Sequence, residues 1–304
     1  MKPAPFSYHD PNSSEEALAL LAEHGDEGKL LAGGQSLVPL LNFRLARPEH
    51  LIDINRVGSL AGIRRRYGVL RIGAMTRQAA LERSALVAEH WPLLSEATRQ
   101  VAHAQIRNRG TVGGSVAHAD PAAELPVALA ALDARFHVRS TRAARTLDAD
   151  DLFVAQLMTT IEPDELLTEI EVPPLAERTG HAFVEFARRH GDFALGGAAV
   201  LLSMNEFGVC ERARIVLLAA GPKPLRASAA EQVLAGGEVD EAAARAAAER
   251  AIEEIQPTGD IHGSSGYRRD RIGVMARRAF LLAARRAVGE ADGDGASSNE
   301  RGGA

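Results

Sequence analysis

Residues 32–37 read Ala-Gly-Gly-Gln-Ser-Leu, and residues 111–115 read Thr-Val-Gly-Gly-Ser. In both stretches a Gly-Gly pair is followed closely by hydroxyl or amide side chains. Glycine adopts φ > 0 without strain and lets backbone N–H groups approach an anion without an intervening Cβ. Consecutive N–H groups of this kind bind phosphate oxygens, and a helix that begins near Ser36 would direct further free N–H groups to the same place. Either stretch alone could be an ordinary turn, but the repeated design predicts a site for a nucleotide diphosphate that requires no positive side chain.

The two best-known nucleotide motifs are absent from the sequence. Neither Gly-Gly stretch is followed by Gly-Lys-Ser or Gly-Lys-Thr, so neither is a P-loop. No Gly-x-Gly-x-x-Gly follows a predicted strand, so the Rossmann fingerprint is missing as well. The sequence therefore predicts a nucleotide-binding protein of a third kind.

Composition indicates a globular protein of two domains. The chain has 304 residues, of which 46% are hydrophobic and 25% charged, and a net charge of −5 gives no reason to expect nucleic acid or an anionic membrane as a partner. Its single cysteine, Cys210, excludes an intrachain disulfide and an iron–sulfur cluster, which needs about four. Residues 1–11 lack a secretory apolar run, and stretches such as 194–204 are too short to span a bilayer, so we expect a cytoplasmic protein.

Apolar periodicity predicts an α+β chain with a boundary just after Pro173-Pro174. Ser13 and Glu16 form a capping-box pattern for a helix that ends at Gly25. Further predicted helices cover residues from 36, 76–82, 93–103, 121–132, 225–234, 238–255 and 265–288. Predicted strands cover residues 29–32, 51–54, 69–73, 135–139, 165–172, 181–189, 198–204 and 213–218. Residues 107–115 are predicted to be a loop, and Arg64-Arg65-Arg66 a solvated turn or the rim of a partner interface.

Four longer stretches carry a family pattern, two of them around the second Gly-Gly motif and two further along the chain. Residues 106–115 read Ile-Arg-Asn-Arg-Gly-Thr-Val-Gly-Gly-Ser, and residues 119–126 read Ala-Asp-Pro-Ala-Ala-Glu-Leu-Pro. Residues 188–194 read Arg-Arg-His-Gly-Asp-Phe-Ala, and residues 266–269 read Gly-Tyr-Arg-Arg. In order, over about residues 1–288, these stretches resemble the FAD-binding medium subunits of molybdenum hydroxylases, the carbon monoxide dehydrogenase and xanthine dehydrogenase family.

The resemblance implies a fold and a set of partners. Residues 1–176 would form an FAD-binding domain of the vanillyl-alcohol-oxidase (PCMH) type, with subdomains of about 1–56 and 57–176. Residues 177–288 would form a C-terminal domain of a small antiparallel sheet and helices. Composition, not the resemblance, predicts a disordered tail at 289–304, because it is rich in Gly, Ser, Asp and Asn and has almost no apolar residue. A small subunit with two [2Fe–2S] clusters and a large subunit with a molybdopterin cofactor would join this chain in a dimer of heterotrimers.

The resemblance also implies contacts to FAD, residue by residue. Glu124 would accept hydrogen bonds from ribose or ribityl hydroxyls, unless it is a solvated charge at a helix start. Leu167 or its neighbour Leu166 would pack near the adenine or the flavin ring. Phe193 would lie against the isoalloxazine, with plain core packing as the alternative. His118 would contact FAD, with a loop histidine that contacts only backbone as the alternative. The diphosphate would be bound by Ala32, Gly33, Gly34, Gln35, Ser36, Thr111, Val112, Gly113, Gly114 and Ser115.

The implied function is electron relay. Substrate would be oxidised at molybdenum in another chain, and electrons would pass through the clusters to FAD here and on to an external acceptor. No side chain of this chain would act as acid, base or nucleophile, and the ten histidines show no metal-ligand spacing. One departure is Val184-Glu185, where relatives often have a lysine that reaches the flavin. The rival hypotheses are a self-sufficient FAD-dependent oxidase or reductase of the same fold and a module that has lost its cofactor.

Overall fold

The computed structural model describes residues 2–290, and its first part is a three-stranded parallel sheet covered by one helix. The strand order is β1-β3-β2. Helix α1 begins where the Ser13 hydroxyl accepts the Glu16 N–H, and it ends at Gly25, whose φ is 48°. The Glu16 carboxylate accepts the N–H of Asn12. The elements are β1 (Ser7–His9), α1 (Ser14–His24), β2 (Gly28–Leu31), α2 (Leu37–Asn42) and β3 (His50–Asp53).

The second part is a five-stranded antiparallel sheet in the order β4-β5-β10-β6-β7. A large core, which includes the fully buried Trp91 and Phe136, joins this sheet to the helices. The elements are β4 (Ile63–Arg66), β5 (Val69–Gly73), α3 (Gln78–Glu82), α4 (Ala85–His90), α5 (Pro92–Gln100), α6 (Ala104–Arg107), α7 (Val112–His118), α8 (Glu124–Ala131), β6 (Arg135–Arg139), β7 (Ala144–Leu147), α9 (Ala149–Leu152), β8 (Phe153–Ala155), β9 (Met158–Thr159) and β10 (Leu166–Val172).

The third part is a four-stranded antiparallel sheet, with strands adjacent in chain order, and three helices. Helix α12 lies directly on β11, because a Cβ at Gly180 would be 1.8 Å from the carbonyl oxygen of Ala283. The elements are β11 (Thr179–Phe186), β12 (Gly196–Met204), β13 (Cys210–Leu218), β14 (Leu225–Arg226), α10 (Ser228–Leu234), α11 (Glu241–Glu253) and α12 (Ser265–Ala287).

Strand β12 is buried on both faces. Ala198, Val200 and Leu202 belong to the core under α10, α11 and α12. Ala199 and Leu201 belong to the core of the second part. Since successive side chains of a strand point to opposite faces, this alternation explains why residues 196–204 are almost continuously apolar.

Polar contacts also join the C-terminal sheet to the second part. The Glu96 carboxylate on α5 accepts the N–H of Phe183 (3.1 Å) and pairs with Arg286 (2.7 Å) and His181 (3.3 Å). Burial alone would raise the pKa of Glu96, but the hydrogen bond and charge of His181 and the charge of Arg286 hold it below its usual value. Glu96 therefore stays ionised and links the two parts near neutral pH.

Some predicted elements are wrong. Arg64–Arg66 is not a turn but the edge strand β4, in which Arg64 pairs with Glu169. The predicted helix 225–234 begins only at Ser228, because Leu225 pairs with Leu217 as part of β14. The predicted helix 93–103 ends at Gln100, and the predicted loop 107–115 contains the end of α6 and the start of α7. The predicted tail, 289–304, lies outside the described residues from 291 onwards.

Candidate functional site

The first Gly-Gly stretch is a turn between β2 and α2 with four free backbone donors. Gly34 has a φ of 74°, as the sequence predicts for one of these glycines. Among residues 2–290, no acceptor receives the N–H groups of Gly33, Gly34, Gln35 and Ser36. The Gln35 side-chain amide donates to the Gly33 carbonyl (3.0 Å) and so holds the turn itself. Four adjacent unpaired N–H groups form an anion-binding surface.

The second Gly-Gly stretch is the first turn of α7, and its backbone donors are already used. Thr111 caps the helix by accepting the N–H of Gly114 (3.1 Å). The Val112 N–H donates to Thr76 and the Gly113 N–H to Ala74. Neither glycine of this pair has a positive φ. The predicted design, with free amides and φ > 0 in both stretches, is therefore wrong for the second stretch.

The glycines also let the chain pack closely. A Cβ at Gly113 would lie 2.5 Å from the Cβ of Ala74. A Cβ at Gly33 would lie 2.4 Å from the carbonyl oxygen of Arg109 and 2.8 Å from the Cα of Gly110. The turn at residues 32–36 between β2 and α2 (the first turn) and the residues around Arg109 (the Arg109 segment) are thus in backbone-to-backbone contact at Gly33.

A buried arginine holds the segment that Gly33 contacts. Arg107 Nε donates to one Glu82 carboxylate oxygen (2.8 Å) and an Arg107 terminal nitrogen to the other (2.9 Å). The second terminal nitrogen donates to the Val101 carbonyl (2.8 Å). This bidentate pair, with both partners largely withdrawn from solvent, keeps the carbonyl of Arg109 in place against the first turn.

A cleft of about 470 Å³ opens at the carboxyl ends of β2 and β3, and an adjoining cleft of about 360 Å³ shares Asn55 with it. Parallel strands bring the residues that follow them to one edge of the sheet, where ligands commonly bind. The first cleft is lined by Leu31, Ala32, Gly33, Gly34, Gln35, Val38, Pro39, Asp53, Asn55, Ile106 and Arg109. The second is lined by Asn55, Val57, Gly58, Ala61, Gly62, Ile63, Met75, Thr76, Arg77 and Ala80.

A polar network joins the walls of these clefts, and the sequence analysis missed it. The Asn55 side-chain amide donates to the carbonyl of Ala32 (2.8 Å). The Arg77 guanidinium donates to Asn55 Oδ1 (2.6 Å) and to the carbonyl of Arg109. The usable signal was the polar pair Asp53 and Asn55, which comes directly after the apolar residues Leu51 and Ile52 at the end of β3.

The charged side chains that line the two clefts favour the binding of an anion. Burial alone would raise the pKa of Asp53, but hydrogen bonds from Tyr8 (2.7 Å) and Asn55 outweigh it and hold the pKa below its usual value. Burial and the nearby Arg109 lower the pKa of Arg77, although a guanidinium remains charged in proteins. Two arginines therefore border the clefts against one ionised carboxylate.

The third motif, residues 188–194, packs against the residue that precedes α6. A Cβ at Gly191, whose φ is 88°, would lie 2.2 Å from the His103 ring, so the loop before β12 packs on the residue that precedes α6. Phe193 in this loop is 74% exposed, which excludes the alternative of plain core packing. Leu167 is 5% exposed within the main core, and neither it nor Phe193 lines the two clefts.

The buried Glu124, the first residue of α8, and the half-buried Glu185 on β11 are close enough for their charges to interact. Burial, and secondarily the charge of Asp120, raises the pKa of Glu124 to about 7. Burial and the nearby Glu124 raise the pKa of Glu185 to about 8. Glu124 is 8% exposed, so the alternative of a solvated charge is wrong. Glu185 Oε2 is buried without a hydrogen-bond partner among the described residues.

The half-buried His118 is the last residue of α7. Burial lowers the pKa of His118, so its imidazole is neutral at pH 7. A neutral imidazole and protonated carboxyl groups exchange hydrogen bonds readily with hydroxyls. The free amides at Gly33–Ser36, the two arginines and the unpartnered Glu185 oxygen fit the diphosphate and the hydroxylated chain of FAD.

This fold and site define an FAD-binding oxidoreductase subunit. Residues 4–175 match the family model described as the FAD binding domain in molybdopterin dehydrogenase, and residues 181–283 match the CO dehydrogenase flavoprotein C-terminal domain. The chain belongs to the family of FAD-binding medium subunits of molybdenum hydroxylases, of the carbon monoxide dehydrogenase and xanthine dehydrogenase type. The predicted family, fold class and cofactor are thereby confirmed.

Relatives match along almost the whole chain. The 6-hydroxypseudooxynicotine dehydrogenase complex subunit alpha of Paenarthrobacter nicotinovorans is 47% identical, over 94% of this chain and 97% of the relative. The carbon monoxide dehydrogenase medium chain of Hydrogenophaga pseudoflava is 40% identical, over 93% and 98%. A solved structure of carbon monoxide dehydrogenase from Hydrogenophaga pseudoflava, which lacks the Mo-pyranopterin moiety, matches with a TM-score of 0.92 and 42% identity over 94% and 99%.

Within residues 2–290, none of the helices combines the length and the apolar character needed to cross a membrane.

Proposed function

We propose that this chain relays electrons from two [2Fe–2S] clusters of a small partner subunit, through FAD, to an external acceptor. The substrate is oxidised in a large molybdopterin subunit, and the complex is a cytoplasmic dimer of heterotrimers. The observation that carries the proposal is the row of free amides at Gly33–Ser36 in a chain whose single cysteine is too few to bind an iron–sulfur cluster of its own. Cys210, the one thiol, is fully buried, and burial raises its pKa to about 11.

When FAD is bound, it accepts electrons singly or in pairs, and the protein supplies placement. The turn of Ala32–Ser36 binds the diphosphate through backbone N–H groups, with Arg109 at its border. Thr111–Ser115 supports that turn from α7, and the Ser115 hydroxyl, which has no partner among the described residues, is available to the cofactor. Asn55 bonds to the carbonyl of Ala32 and Arg77 bonds to Asn55, so the two side chains fix the position of the first turn relative to the rest of the cleft.

The remaining predicted contacts have distinct roles. Glu124 and His118 exchange hydrogen bonds with hydroxyls of the ribityl chain, since burial raises the pKa of Glu124 to about 7 and lowers the pKa of the half-buried His118. Phe193 covers the isoalloxazine, because a 74% exposed aromatic side chain on a loop gains burial when a flat ring binds beside it. Leu167 acts from the core behind the cofactor rather than by lining a cleft.

Two measurements test the relay. The purified chain should carry one FAD, seen as flavin absorbance, and should not oxidise an organic substrate alone. Mixed anaerobically with the reduced small iron–sulfur subunit, its flavin should bleach in stopped-flow absorbance. Substrate turnover by the isolated chain would support the self-sufficient oxidase or reductase instead. A folded chain that stays colourless with excess FAD would support the module that has lost its cofactor.

A further inference from the structure

Three histidines from distant parts of the sequence meet in the first part of the molecule. His9 ends β1, His24 ends α1 and His50 begins β3. The His24 and His50 rings are stacked, with centroids 3.6 Å apart and an interplanar angle of 7°. His9 Nε2 lies 3.0 Å from His50 Nδ1. One ring nitrogen from each histidine lies within 4.8 Å of the other two.

The fold places these side chains together for identifiable reasons. Ser7 pairs with His50 and His9 with Ile52 in the parallel β1–β3 ladder. Since paired residues and residues two apart share a face, His9 and His50 lie on the same face as Ile52, which packs against α1. Gly28 lets the end of α1 approach that face, because a Cβ there would already lie 3.3 Å from the Cβ of His24.

Two carboxylates complete the cluster. Side-chain oxygens of Glu27 and Glu49 lie within 4.8 Å of each other and of a ring nitrogen of His50. Both glutamates are exposed, whereas the three histidines are half-buried. A histidine that binds a metal through one nitrogen usually donates its other N–H to a carboxylate, a backbone carbonyl or water. Glu27 and Glu49 are placed for that role and add negative charge beside the imidazoles.

We propose that His9, His24 and His50 bind one divalent transition-metal ion of the imidazole-preferring kind, such as Zn²⁺. With Zn–N distances of about 2.0–2.1 Å, tetrahedral ligand nitrogens lie roughly 3.3 Å apart. The His9 and His50 nitrogens, 3.0 Å apart, are close to this spacing, and the half-buried His24 ring must rotate out of its stack on His50 so that one of its nitrogens points at the ion. A water molecule or a carboxylate oxygen takes the fourth position.

This site is structural and separate from the flavin site. It lies at the amino end of β3, whereas the candidate FAD cleft lies at the carboxyl end, roughly 10 Å along the strand at about 3.3 Å per residue. The ion joins β1, α1 and β3, and β3 pairs with β2, the strand that leads into the diphosphate turn.

The test is zinc binding to the full-length flavin-loaded chain, purified without a polyhistidine tag and treated with a chelator. Isothermal titration with Zn²⁺ should give one ion per chain. Since an outer partner alone is worth about 10- to 100-fold in metal affinity, His24→Gln should weaken binding at least about 100-fold and Glu49→Gln about 10-fold. The matched control replaces His90, a half-buried histidine beside Arg65 in the second part of the molecule. The His90→Gln variant should bind zinc as tightly as the parent chain.

A second measurement needs no variant and covers the case in which His24→Gln does not fold. Co²⁺ added to the parent chain should give the intense visible bands of a tetrahedral site, and equimolar Zn²⁺ should abolish them. FAD content should be unchanged in every folded variant. The proposal is overturned if the parent binds neither ion below 1 mM, or if folded His24→Gln binds zinc as tightly as the parent.

Discussion

Replacing Gly33 by alanine should weaken FAD binding, because the new side chain would push the first turn away from the Arg109 segment. The new Cβ would start 2.4 Å from the carbonyl oxygen of Arg109 and 2.8 Å from the Cα of Gly110. Both are backbone atoms, so no side-chain rotation relieves the overlap. Since ordinary contacts begin at about 3.4 Å, the first turn and the Arg109 segment must move apart by roughly 1 Å.

The size of the effect follows from what resists that movement. Arg107 is bonded to Glu82 and to the Val101 carbonyl, so the Arg109 segment cannot retreat freely. Overpacking of this kind costs about 1–3 kcal/mol. If the cost falls on the bound state, FAD affinity drops by roughly 5- to 150-fold, at about 1.4 kcal/mol per tenfold.

The assay is a fluorescence titration of the flavin-free chain with FAD, together with thermal unfolding. The matched control is Gly266→Ala, near the start of α12, where a Cβ meets nothing within 4 Å. Alanine there should leave FAD affinity unchanged and stabilise the helix by up to about 1 kcal/mol. An unchanged FAD affinity and melting temperature in Gly33→Ala would refute the close packing of the first turn on the Arg109 segment.

Three further predictions concern the site and its support. Gly34→Val should reduce FAD stoichiometry well below one, because a β-branched residue is strained at a φ of 74°; retention of one FAD by absorbance would contradict this. Burial raises the pKa of Glu185 to about 8, so its contribution to stability is full below about pH 4.5 and is lost as the pH rises through 8. Glu185→Gln should therefore flatten the decline of unfolding free energy between pH 6 and 8 by up to about 1.4 kcal/mol per pH unit, measured by urea unfolding of the flavin-free chain; parallel curves would argue against a buried neutral acid. Glu82→Gln leaves the Arg107 guanidinium without its charged partner and should cost about 3–5 kcal/mol of stability, whereas a loss below 1 kcal/mol would show that the pair does not support the Arg109 segment.

The sequence predicted features that depend on local pattern. Ser13 and Gly25 bound α1 as expected, because capping depends on residues within one turn. Gly34 adopts the positive φ that its motif required. The family motifs identified the cofactor, since each is a short continuous stretch.

Features that depend on packing between distant segments were not predicted. The amides after Thr111 are bonded to Thr76 and Ala74, partners that no local pattern reveals. The network of Asn55 and Arg77 spans two parts of the chain and was missed for the same reason.

The histidine cluster shows the same limit. His9, His24 and His50 lie far apart in sequence, so no ligand spacing could reveal them before the sheet register was known.

Because alternate side chains of β12 are buried in two different cores, the C-terminal part should unfold together with the second part and should not be exchangeable as a separate domain. The prolines at 173 and 174 mark where the chain passes from one part to the next, but they do not mark a place where it can be cut into independent folding units. A fragment that begins after them would expose Ala199 and Leu201 to water. We therefore expect one cooperative calorimetric transition, and a C-terminal half transplanted onto another flavoprotein would need the matching helical surface to remain soluble.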